Sequence, residues 1–431
     1  MTARITAGRM TKQVVVAGGG IGGLAAALGA SRAGWGVRLL ERAAAFGEVG
    51  AGVQLGPNVT RCLHAWGLQR PLHDAAAFPA RLQVRSALSG DALAALPLGA
   101  AMEERYGAPY ACIHRADLHA LLLAAVGKDT YTQCHLDHPM EGFTDADGVV
   151  TVRTSHGQAI EADALVGADG LWSRTRTQLL GAVPPRVTGH LAYRALIAQG
   201  ELPPALRTAQ VTAWLGPRLH AIQYPVRRGE LMNLVVIVQG PVPADLDHWD
   251  HAASAAGLEH ALLGTCTALQ DLVRSAAHQP GPAPAGDCPS GGVRAPAASG
   301  AGWRLWPVCD RPPVQSADEM ARGLVALLGD AAHPMRPYLA QGAGMAIEDA
   351  MELQHALAMH DLDVPLRLRR YAVNRWQRNA RVQARSTRNG RVFHATGATR
   401  WGRDLLLRSL GERLLDVPWL YRGDGAGAGT Q

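Results

Sequence analysis

The sequence predicts a composite α/β fold, in which a first domain of alternating strands and helices is interrupted by a β-sheet-rich domain and followed by a helical C-terminal region. Three observations lead to this prediction. A strand–helix–strand pattern begins the chain, the stretch 187–238 is rich in strand signals, and the pattern is helical from about residue 349. Alternating elements on both sides of a β-rich centre are typical of one domain inserted into another. A chain of 431 residues, 48% of them apolar, is long enough to bury two cores.

The elements follow from hydrophobic periodicity. Residues 14–17 form an all-apolar run of the kind that fills a buried parallel strand, residues 21–33 form a helix of small residues, and residues 36–41 supply the next strand. Further strands are predicted at 149–154, 164–166, 234–238 and 324–328, and further helices at 115–126 and 347–359.

The domain division follows from this order of elements. We expect a first domain of 1–80, 108–186 and 303–395, a second domain of 81–107 and 187–302, and a C-terminal helical segment with a tail at 396–431. Residues 279–302 are crowded with Pro, Gly, Ala and Ser, which predicts a flexible loop within the second domain.

A glycine motif lies between the first strand and the first helix. Gly18, Gly20 and Gly23 form G-x-G-x-x-G, whose glycines permit a tight turn, the approach of backbone to a pyrophosphate and close helix packing. The positive end of the helix then faces the phosphates. Glu41 ends the second strand at the spacing expected for a carboxylate that accepts both hydroxyls of an adenosine ribose. The unit predicts a Rossmann-like dinucleotide site but does not distinguish FAD from NAD.

Two later motifs carry carboxylates at strand ends. One apolar strand breaks into Asp169-Gly170, which from the residues alone indicates a tight turn and a capped helix start. Another ends in Gly329-Asp330, at the sheet edge where α/β folds bind ligands. Residues 341–345 then lead into a helix whose free N–H groups face something electron-rich.

Composition excludes several classes of function. The net charge of +6 comes from Arg residues scattered among acids, without the basic stripe of a nucleic-acid-binding protein. The cysteines form no CxxC motif and lie far apart, which argues against a metal site or a redox dithiol and favours a reducing cytoplasm. The apolar stretch 14–30 is too rich in glycine for a signal or membrane segment, so no membrane span is expected. A monomer and a homodimer are both compatible with the sequence.

The three motifs, in this order, resemble those of the FAD-dependent aromatic hydroxylases, the single-component flavoprotein monooxygenases. The strings FGEVGAGVQLGPN, HRADLHALL, VGADGLWSRTR and LLGDAAHPMRPYLAQGAGMAIEDA are most similar to the branch with salicylate, 3-hydroxybenzoate and 6-hydroxynicotinate hydroxylases. The resemblance implies non-covalent FAD, with NADH or NADPH as a visiting co-substrate. It implies these cofactor-binding residues: Gly18, Gly20, Gly23, Glu41, Arg42, Arg115, Asp169, Asp330, Pro337, Gly342, Ala343, Gly344 and Met345.

The reaction implied by the resemblance is hydroxylation of a phenolic or hydroxypyridine carboxylate by O2 through a flavin C4a-hydroperoxide, with or without decarboxylation. Such a ring reacts best as a phenolate, so a base is expected. His220 and Tyr224 lie on one face of a predicted strand at i and i+4 and are the first candidates, with His333 as a secondary one. A substrate carboxylate can pair with Arg194, Arg218 or Arg336, and the sequence does not choose among them.

Two other functions stay open at this point. A flavin monooxygenase of the same family could act on a larger, non-acidic molecule such as a polyketide or antibiotic, which would make the His220 and Tyr224 pair incidental. A flavin-binding protein without catalytic activity would need the same cofactor motifs.

Overall fold

The computed structural model describes residues 11–47, 51–242, 251–252, 255–277 and 303–423. Its strands are β1 (Gln13–Ala17), β2 (Gly36–Leu40), β3 (Gly52–Leu55), β4 (Arg81–Ser86), β5 (Ala92–Pro97), β6 (Ala111–His114), β7 (Thr132–His135), β8 (Met140–Ala146), β9 (Val149–Thr154), β10 (Ala159–Ala162), β11 (Ala164–Gly167), β12 (Arg186–Ala198), β13 (Val211–Gly216), β14 (Leu219–Val226), β15 (Leu231–Gln239), β16 (His251–Ala252), β17 (Arg304–Asp310), β18 (Ala321–Arg322) and β19 (Val325–Leu327). Its α-helices are α1 (Ile21–Arg32), α2 (Pro57–Ala65), α3 (Gln69–Ala75), α4 (Gly99–Tyr106), α5 (Arg115–Val126), α6 (Arg174–Leu180), α7 (Ala255–Ala261), α8 (Thr267–Ala277), α9 (Gly342–Leu357), α10 (Val364–Phe393), α11 (Gly397–Leu410), α12 (Glu412–Leu415) and α13 (Pro418–Tyr421).

The first strand lies inside a mostly parallel sheet with the order β18-β19-β11-β1-β2-β7. β1 pairs in parallel with β2 and β11, and β19 pairs in parallel with β11. Parallel strands end at the same edge of a sheet. The sheet therefore brings together Gly18, Asp169 and Asp330, which follow the carboxyl ends of β1, β11 and β19.

A second, larger sheet has the order β16-β17-β12-β15-β14-β13-β4-β5. Its two faces have different partners, as the alternation of side chains in β14 makes clear. Leu219 and Ala221 belong to a core that includes Leu258 and Leu269 of α7 and α8. His220, Ile222 and Tyr224 line a large cavity on the opposite face. The sheet therefore forms one wall of that cavity.

The C-terminal helices cover the remaining side of this cavity. Leu407 of α11, Leu415 of α12 and Tyr421 of α13 line it. Buried Arg378 binds two backbone carbonyls of α13. Its Nη1 donates to Trp419 O at 3.0 Å, and its Nη2 donates to Leu420 O at 2.8 Å. Hydrogen bonds thus hold the terminal segment against α10.

The predicted α/β class is confirmed, and several bounds match. Helix α5 and strand β9 occupy the predicted residues, whereas the helix predicted at 347–359 begins earlier, at Gly342, and ends at Leu357. Small glycine-rich residues at its start carry no apolar periodicity, which explains the difference. The predicted loop at 279–302 lies outside the described residues. In the part of the chain that the structure describes, no helix combines the length and apolarity needed to cross a bilayer.

Candidate active site

The glycine-rich turn joins β1 to α1, and close backbone contacts require its glycines. Gly18 has a left-handed φ of 105°, and a Cβ there would lie 2.5 Å from the carbonyl oxygen of Ala168. A Cβ on Gly23 would lie 1.7 Å from the carbonyl oxygen of Gly18. The turn leads into α1, whose N-cap Gly20 provides no side-chain cap, and Gly20 and Gly22 line the cavity. Helical N–H groups are therefore available at the cavity wall.

Glu41 holds the same turn from the side. Its Oε2 accepts the backbone N–H of Gly19 at 2.6 Å, and its Oε1 accepts the N–H of Ala43 at 2.9 Å. On the other side, Nε2 of buried His119 lies 2.8 Å from the carbonyl oxygen of Gly19. Sequence reasoning missed His119, because a histidine in an apolar helix has no distinguishing pattern. Arg42, predicted to contact the cofactor, is exposed and lies outside the cavity wall.

Asp169 caps the helix that follows it. Its Oδ1 accepts the hydroxyl of Ser173 at 2.5 Å, and its Oδ2 accepts both the N–H and the hydroxyl of Thr175 at 3.0 Å. Ser173 in turn accepts the N–H of Arg176 at 2.8 Å. The carboxylate is thus occupied within its own loop, while its neighbour Gly170 lines the cavity.

Asp330 lies on the cavity wall, together with Arg115 at the start of α5. Its side chain is accessible from the cavity, although protein surrounds it on its other sides. Burial raises the pKa of Asp330, against the opposing influence of His333 and Arg115. The carboxylate and the guanidinium therefore offer an acceptor and a donor set to a ligand that passes between them.

The start of α9 forms another part of the wall. Gly342 and Ala343 line the cavity, as does Pro337 in the preceding turn. No side chain caps this helix, so its first N–H groups are free for a ligand. Gly344 and Met345 lie outside the wall: a Cβ on Gly344 would lie 2.7 Å from a methyl carbon of Val59, and Met345 is fully buried.

One cavity of about 920 Å³ connects these features to the large sheet. It begins at Gly20 and Asp330 and extends to His220 and Tyr224, between the sheet and the C-terminal helices. This volume lies in the upper part of the range typical of small-molecule and cofactor sites. The edge of the parallel sheet and the face of β14 therefore share one ligand space.

His220 belongs to a cluster of buried rings. Its Nδ1 lies 2.8 Å from Nε2 of His394, at the end of α10, and Tyr338 and Phe393 pack around it. Tyr338 also contacts Nδ1 of His190 through its hydroxyl. Burial, reinforced by the neighbouring His394 and His190, holds the pKa of His220 well below its usual range. Its imidazole is therefore neutral at physiological pH.

Tyr224 lies four residues after His220, on the same face of β14. The hydroxyl of Tyr110 donates to Gln54 Oε1 at 2.7 Å, and Gln54 also hydrogen-bonds Tyr224. Burial raises the pKa of Tyr224, so its hydroxyl keeps its proton. Gln54 and Tyr110 line the cavity too, and sequence reasoning missed both, because their contact joins residues far apart in the chain.

Comparison with known proteins decides the family. The FAD binding domain family matches residues 11–192 and 311–386. A 3-hydroxybenzoate 6-hydroxylase of Polaromonas naphthalenivorans is 36% identical and covers 95% of each chain. The chain belongs to the FAD-dependent aromatic hydroxylases. A 6-hydroxynicotinate 3-monooxygenase of Bordetella bronchiseptica is 33% identical over 86% of this hydroxylase and 89% of that protein. A solved salicylate hydroxylase in complex with substrate is 26% identical, with a TM-score of 0.75 and 96% of both chains covered.

His333, the secondary candidate for the base, is not on the cavity wall of this hydroxylase. It is fully buried, and its Nε2 lies 2.5 Å from Oδ2 of Asp349. Asp349 Oδ2 also accepts the N–H of Gly329 at 3.2 Å, and its Oδ1 accepts Nε of Arg375 at 2.8 Å. The ring therefore holds the turn before Asp330, and its position away from the cavity wall does not support the prediction that His333 acts directly on substrate.

The predicted arginines have different surroundings. Arg218 is exposed on the turn between β13 and β14 and lies outside the cavity wall, which argues against its predicted substrate contact. Arg336 lines the cavity, but its Nε donates to Oδ2 of Asp310 at 2.7 Å. Arg194 also lines the cavity and stacks on the ring of Trp306, with its guanidinium carbon 3.7 Å from the ring centroid.

Three further arginines on the wall were not candidates, namely Arg385 and Arg388 of α10 and Arg403 of α11. Arg385 and Arg388 of α10 line the cavity, yet α10 is rich in arginine along its whole length and its sequence does not reveal which of them face inward. Trp306, to which the sequence assigned no function, also lines it.

Proposed function

We propose that this hydroxylase adds one oxygen atom to a phenolic or hydroxypyridine carboxylate, with NAD(P)H and O2 as co-substrates. The observation that carries this proposal is the single cavity that begins at Gly20 and Asp330 and ends at His220 and Tyr224. A dinucleotide-type turn and a pair of side chains able to bind a ring hydroxyl therefore share one space. The relatives named above are hydroxylases of 3-hydroxybenzoate and 6-hydroxynicotinate, compounds that carry both a hydroxyl and a carboxylate on the ring.

FAD fits the residues at the first end of the cavity. We propose that the turn of Gly18, Gly20 and Gly23 and the uncapped start of α1 hold its pyrophosphate, because side chains there would fill the cradle. Glu41 is assigned to the adenosine ribose, and Arg115 and Asp330 to the ribityl region. The remaining groups assigned to the cofactor are Gly342 and Ala343 at the start of α9, with Gly344 and Met345 behind the cavity wall, Pro337 beside the ring, and Asp169 acting through its loop.

Bound FAD supplies the redox chemistry, because it accepts a hydride from NAD(P)H and passes the electrons to O2. In sum, the aromatic substrate, O2, NAD(P)H and one proton give the hydroxylated product, NAD(P)⁺ and water. The part of the protein's own residues is to bind the ring, exclude bulk water and hold the proton of the ring hydroxyl.

The hydrogen bond between His220 and His394 decides whether His220 can accept that proton. If His220 donates Nδ1–H to Nε2 of His394, its own Nε2 carries a lone pair and can accept the substrate hydroxyl proton. The opposite tautomer would turn Nε2 into a donor. Burial, with the charges of His190, Arg403 and Arg336, lowers the pKa of His394 to about 3. A neutral His394 can act as the acceptor, so we assign His220 as the base and His394 as its positioning residue.

Tyr224 complements this base. Its hydroxyl keeps its proton because burial raises its pKa, so it can donate a hydrogen bond to a ring oxygen as negative charge builds there. Gln54, which is bound to Tyr110, restricts the orientation of Tyr224. We therefore assign Tyr224 to stabilising the phenolate.

The experiment that tests the function uses the purified holoprotein. Oxidation of NADH and of NADPH is followed in air with 3-hydroxybenzoate, salicylate and 6-hydroxynicotinate, and products are identified by mass with ¹⁸O2. We expect at least one acid to accelerate oxidation and to gain one labelled oxygen atom, and the product mass also reports any loss of CO2. If only larger neutral phenols accelerate NAD(P)H oxidation, the substrate is not an aromatic carboxylate. If the protein binds FAD but forms no product from any compound, it is a non-catalytic flavin-binding protein.

The domain division and the location are part of the same proposal. The two sheets support an FAD-binding domain of 1–80, 108–186 and 303–395 and a substrate domain of 81–107 and 187–302, with one exception. Strand β17 (Arg304–Asp310) pairs with β12 in the large sheet, so we assign it to the substrate domain. Cys62, Cys112, Cys134, Cys266 and Cys309 are free thiols, which agrees with a reducing cytoplasm.

A further inference from the structure

The face of α10 that meets the cavity carries two arginines. Arg385 and Arg388 are three residues apart, so they are neighbours on one helix face, and both line the cavity. The Nε of Arg385 is buried and has no hydrogen-bond partner among the described residues. Two adjacent like charges repel each other, and a buried polar group without a partner is costly. Packing alone gives no reason for this arrangement.

Two other arginines on the cavity wall, Arg336 and Arg403, and Arg378 on the same helix as Arg385 have carboxylate partners that account for their charge. Nε of Arg336 donates to Asp310 at 2.7 Å, and Nε of Arg403 donates to Oδ1 of Asp404 at 2.9 Å. Arg378, two turns before Arg385 on α10, pairs with Glu348 at 2.7 Å. Among the described residues, no carboxylate is paired with Arg385 in this way. Burial, reinforced by Arg388, lowers the pKa of Arg385, as expected for a cation whose charge is not compensated.

Apolar side chains line other parts of the same cavity. Leu407, Leu415 and Val417 from the C-terminal helices line the same cavity. A ligand that complements both the arginines and the apolar side chains has a flat apolar ring and one anionic group. A carboxylate fits the planar guanidinium because it can accept two parallel hydrogen bonds from it. We propose that Arg385, supported by Arg388, binds the carboxylate of the aromatic substrate. This inference rests on the proposed function and replaces the three arginines that the sequence suggested.

The test compares an acid with its amide, which has the same shape but no charge. Binding of 3-hydroxybenzoate and of 3-hydroxybenzamide to the oxidised holoenzyme is measured from the change in the flavin absorbance spectrum, and 6-hydroxynicotinate is compared with 6-hydroxynicotinamide. For Arg385→Gln we expect the dissociation constant of the acid to rise roughly 10- to 100-fold, and that of the amide to change less than about threefold. Arg385→Lys keeps the positive charge but cannot donate two parallel hydrogen bonds, so we expect an intermediate rise in the dissociation constant of the acid.

Controls separate a specific effect from a folding defect. Arg370→Gln changes an exposed arginine of the same helix and should leave both dissociation constants unchanged. FAD content and the thermal midpoint show whether Arg385→Gln is folded, and Arg388→Gln, at the more exposed position, gives a second measurement with a smaller expected loss. Equal weakening of acid and amide, or no weakening of either, would overturn the assignment of Arg385. Failure of the wild-type protein to bind any aromatic acid would instead overturn the proposed function itself.

Discussion

At the scale of single residues, the surroundings of His220 determine what its imidazole can do. A solvent-exposed histidine is half protonated near pH 6.5, whereas burial, followed by His394 and His190, holds the pKa of His220 well below that value. The ring therefore stays neutral and can accept a hydrogen bond over the physiological range. A base of this kind shares the hydroxyl proton rather than removing it fully, which is enough to raise electron density in the ring.

Replacing His220 with Gln tests the base directly. Gln is similar in size and can form a hydrogen bond, but it cannot take up a proton at neutral pH. We expect kcat for hydroxylation to fall by about 10²- to 10⁴-fold, the usual contribution of a general base, with FAD content unchanged. His355→Gln, a half-buried histidine on α9, is the matched control. Unchanged turnover in His220→Gln would remove this residue from the mechanism.

His394 should affect the pH dependence of kcat/KM for hydroxylation. Burial is the main cause of the low pKa of His220, and the second cause is the repulsion that would arise if both imidazoles were protonated. Because His394→Phe removes this repulsion, the pKa of His220 should rise towards its ordinary value. In the wild type the neutral base form persists as the pH falls through 6.5, because both pKa values lie lower. We expect the acid limb of kcat/KM to lie well below the ordinary histidine range in the wild type and to move to higher pH in His394→Phe, together with a lower plateau. Superimposable profiles would contradict the positioning role.

At the scale of elements, one side chain couples the start of α6 to the turn that carries Asp330. Nη1 of Arg176 donates to the carbonyl oxygens of Ala332 at 2.8 Å and Ala331 at 3.3 Å. Ser173 fixes the backbone of Arg176 from the other side at 2.8 Å. The second and third sequence motifs are therefore one structural unit, in which the cap of α6 determines where the Gly329–Ala331 turn lies.

Loss of this link should weaken the cofactor site. In Arg176→Gln the two carbonyls lose a charged hydrogen-bond donor. Such a bond contributes about 1.5–3 kcal/mol to stability when its groups are well buried. Because Arg176 is partly exposed, we expect the loss to be about 1 kcal/mol. We expect FAD to bind several-fold more weakly, measured by titrating the apoprotein and following flavin fluorescence. Arg174→Gln, exposed at the start of the same helix, should bind FAD like the wild type. Equal affinity in Arg176→Gln would argue against the coupling.

The elements also indicate where sequence reasoning succeeds. Helix α5 and strand β9 were predicted with the observed bounds, because amphipathic or apolar periodicity is local information. The turn of Gly18, Gly20 and Gly23 was also predictable from the sequence, because its geometry excludes side chains and so requires glycine. The position of Arg385 was not predictable, because no local pattern says which residue of an arginine-rich helix faces a cavity. The Tyr110–Gln54 contact was not predictable either, because it joins residues far apart in the chain. The surroundings of His333 were not predictable for the same reason, because its partner, Asp349, comes from another element.

At the scale of the whole molecule, a buried charge network joins parts distant in the chain. Nη1 of Arg375 donates to Oε2 of Glu348 at 2.9 Å, and Nη2 of Arg378 donates to its Oε1 at 2.8 Å. Asn58 of α2 donates to the same carboxylate at 2.6 Å, and Arg378 continues to Leu420 O in the C-terminal segment. Glu348 therefore connects α2, α9 and α10 with the helices that close the cavity, although it lies outside the cavity wall.

Replacing Glu348 with Gln should destabilise the whole molecule and flatten its acid sensitivity. Removing one partner of a buried ion pair leaves the arginines uncompensated, which costs about 3–5 kcal/mol in the free energy of unfolding. Burial alone would raise the pKa of Glu348, but Arg375, Arg378 and Asn58 outweigh it and lower the pKa. The stabilisation is therefore fully present above the unfolded pKa of about 4.3 and is lost as the pH falls towards the lower folded pKa.

Urea unfolding measured from pH 7 down to about pH 2 provides both readouts for Glu348→Gln. The variant should unfold at lower urea than the wild type at pH 7, and the difference between them should shrink as the pH falls below about 4.3, because only the wild type has this carboxylate to protonate. Glu104→Gln changes an exposed carboxylate on α4 and should follow the wild type at every pH. A difference that stays constant with pH would mean that packing, rather than the charge of Glu348, holds these helices together.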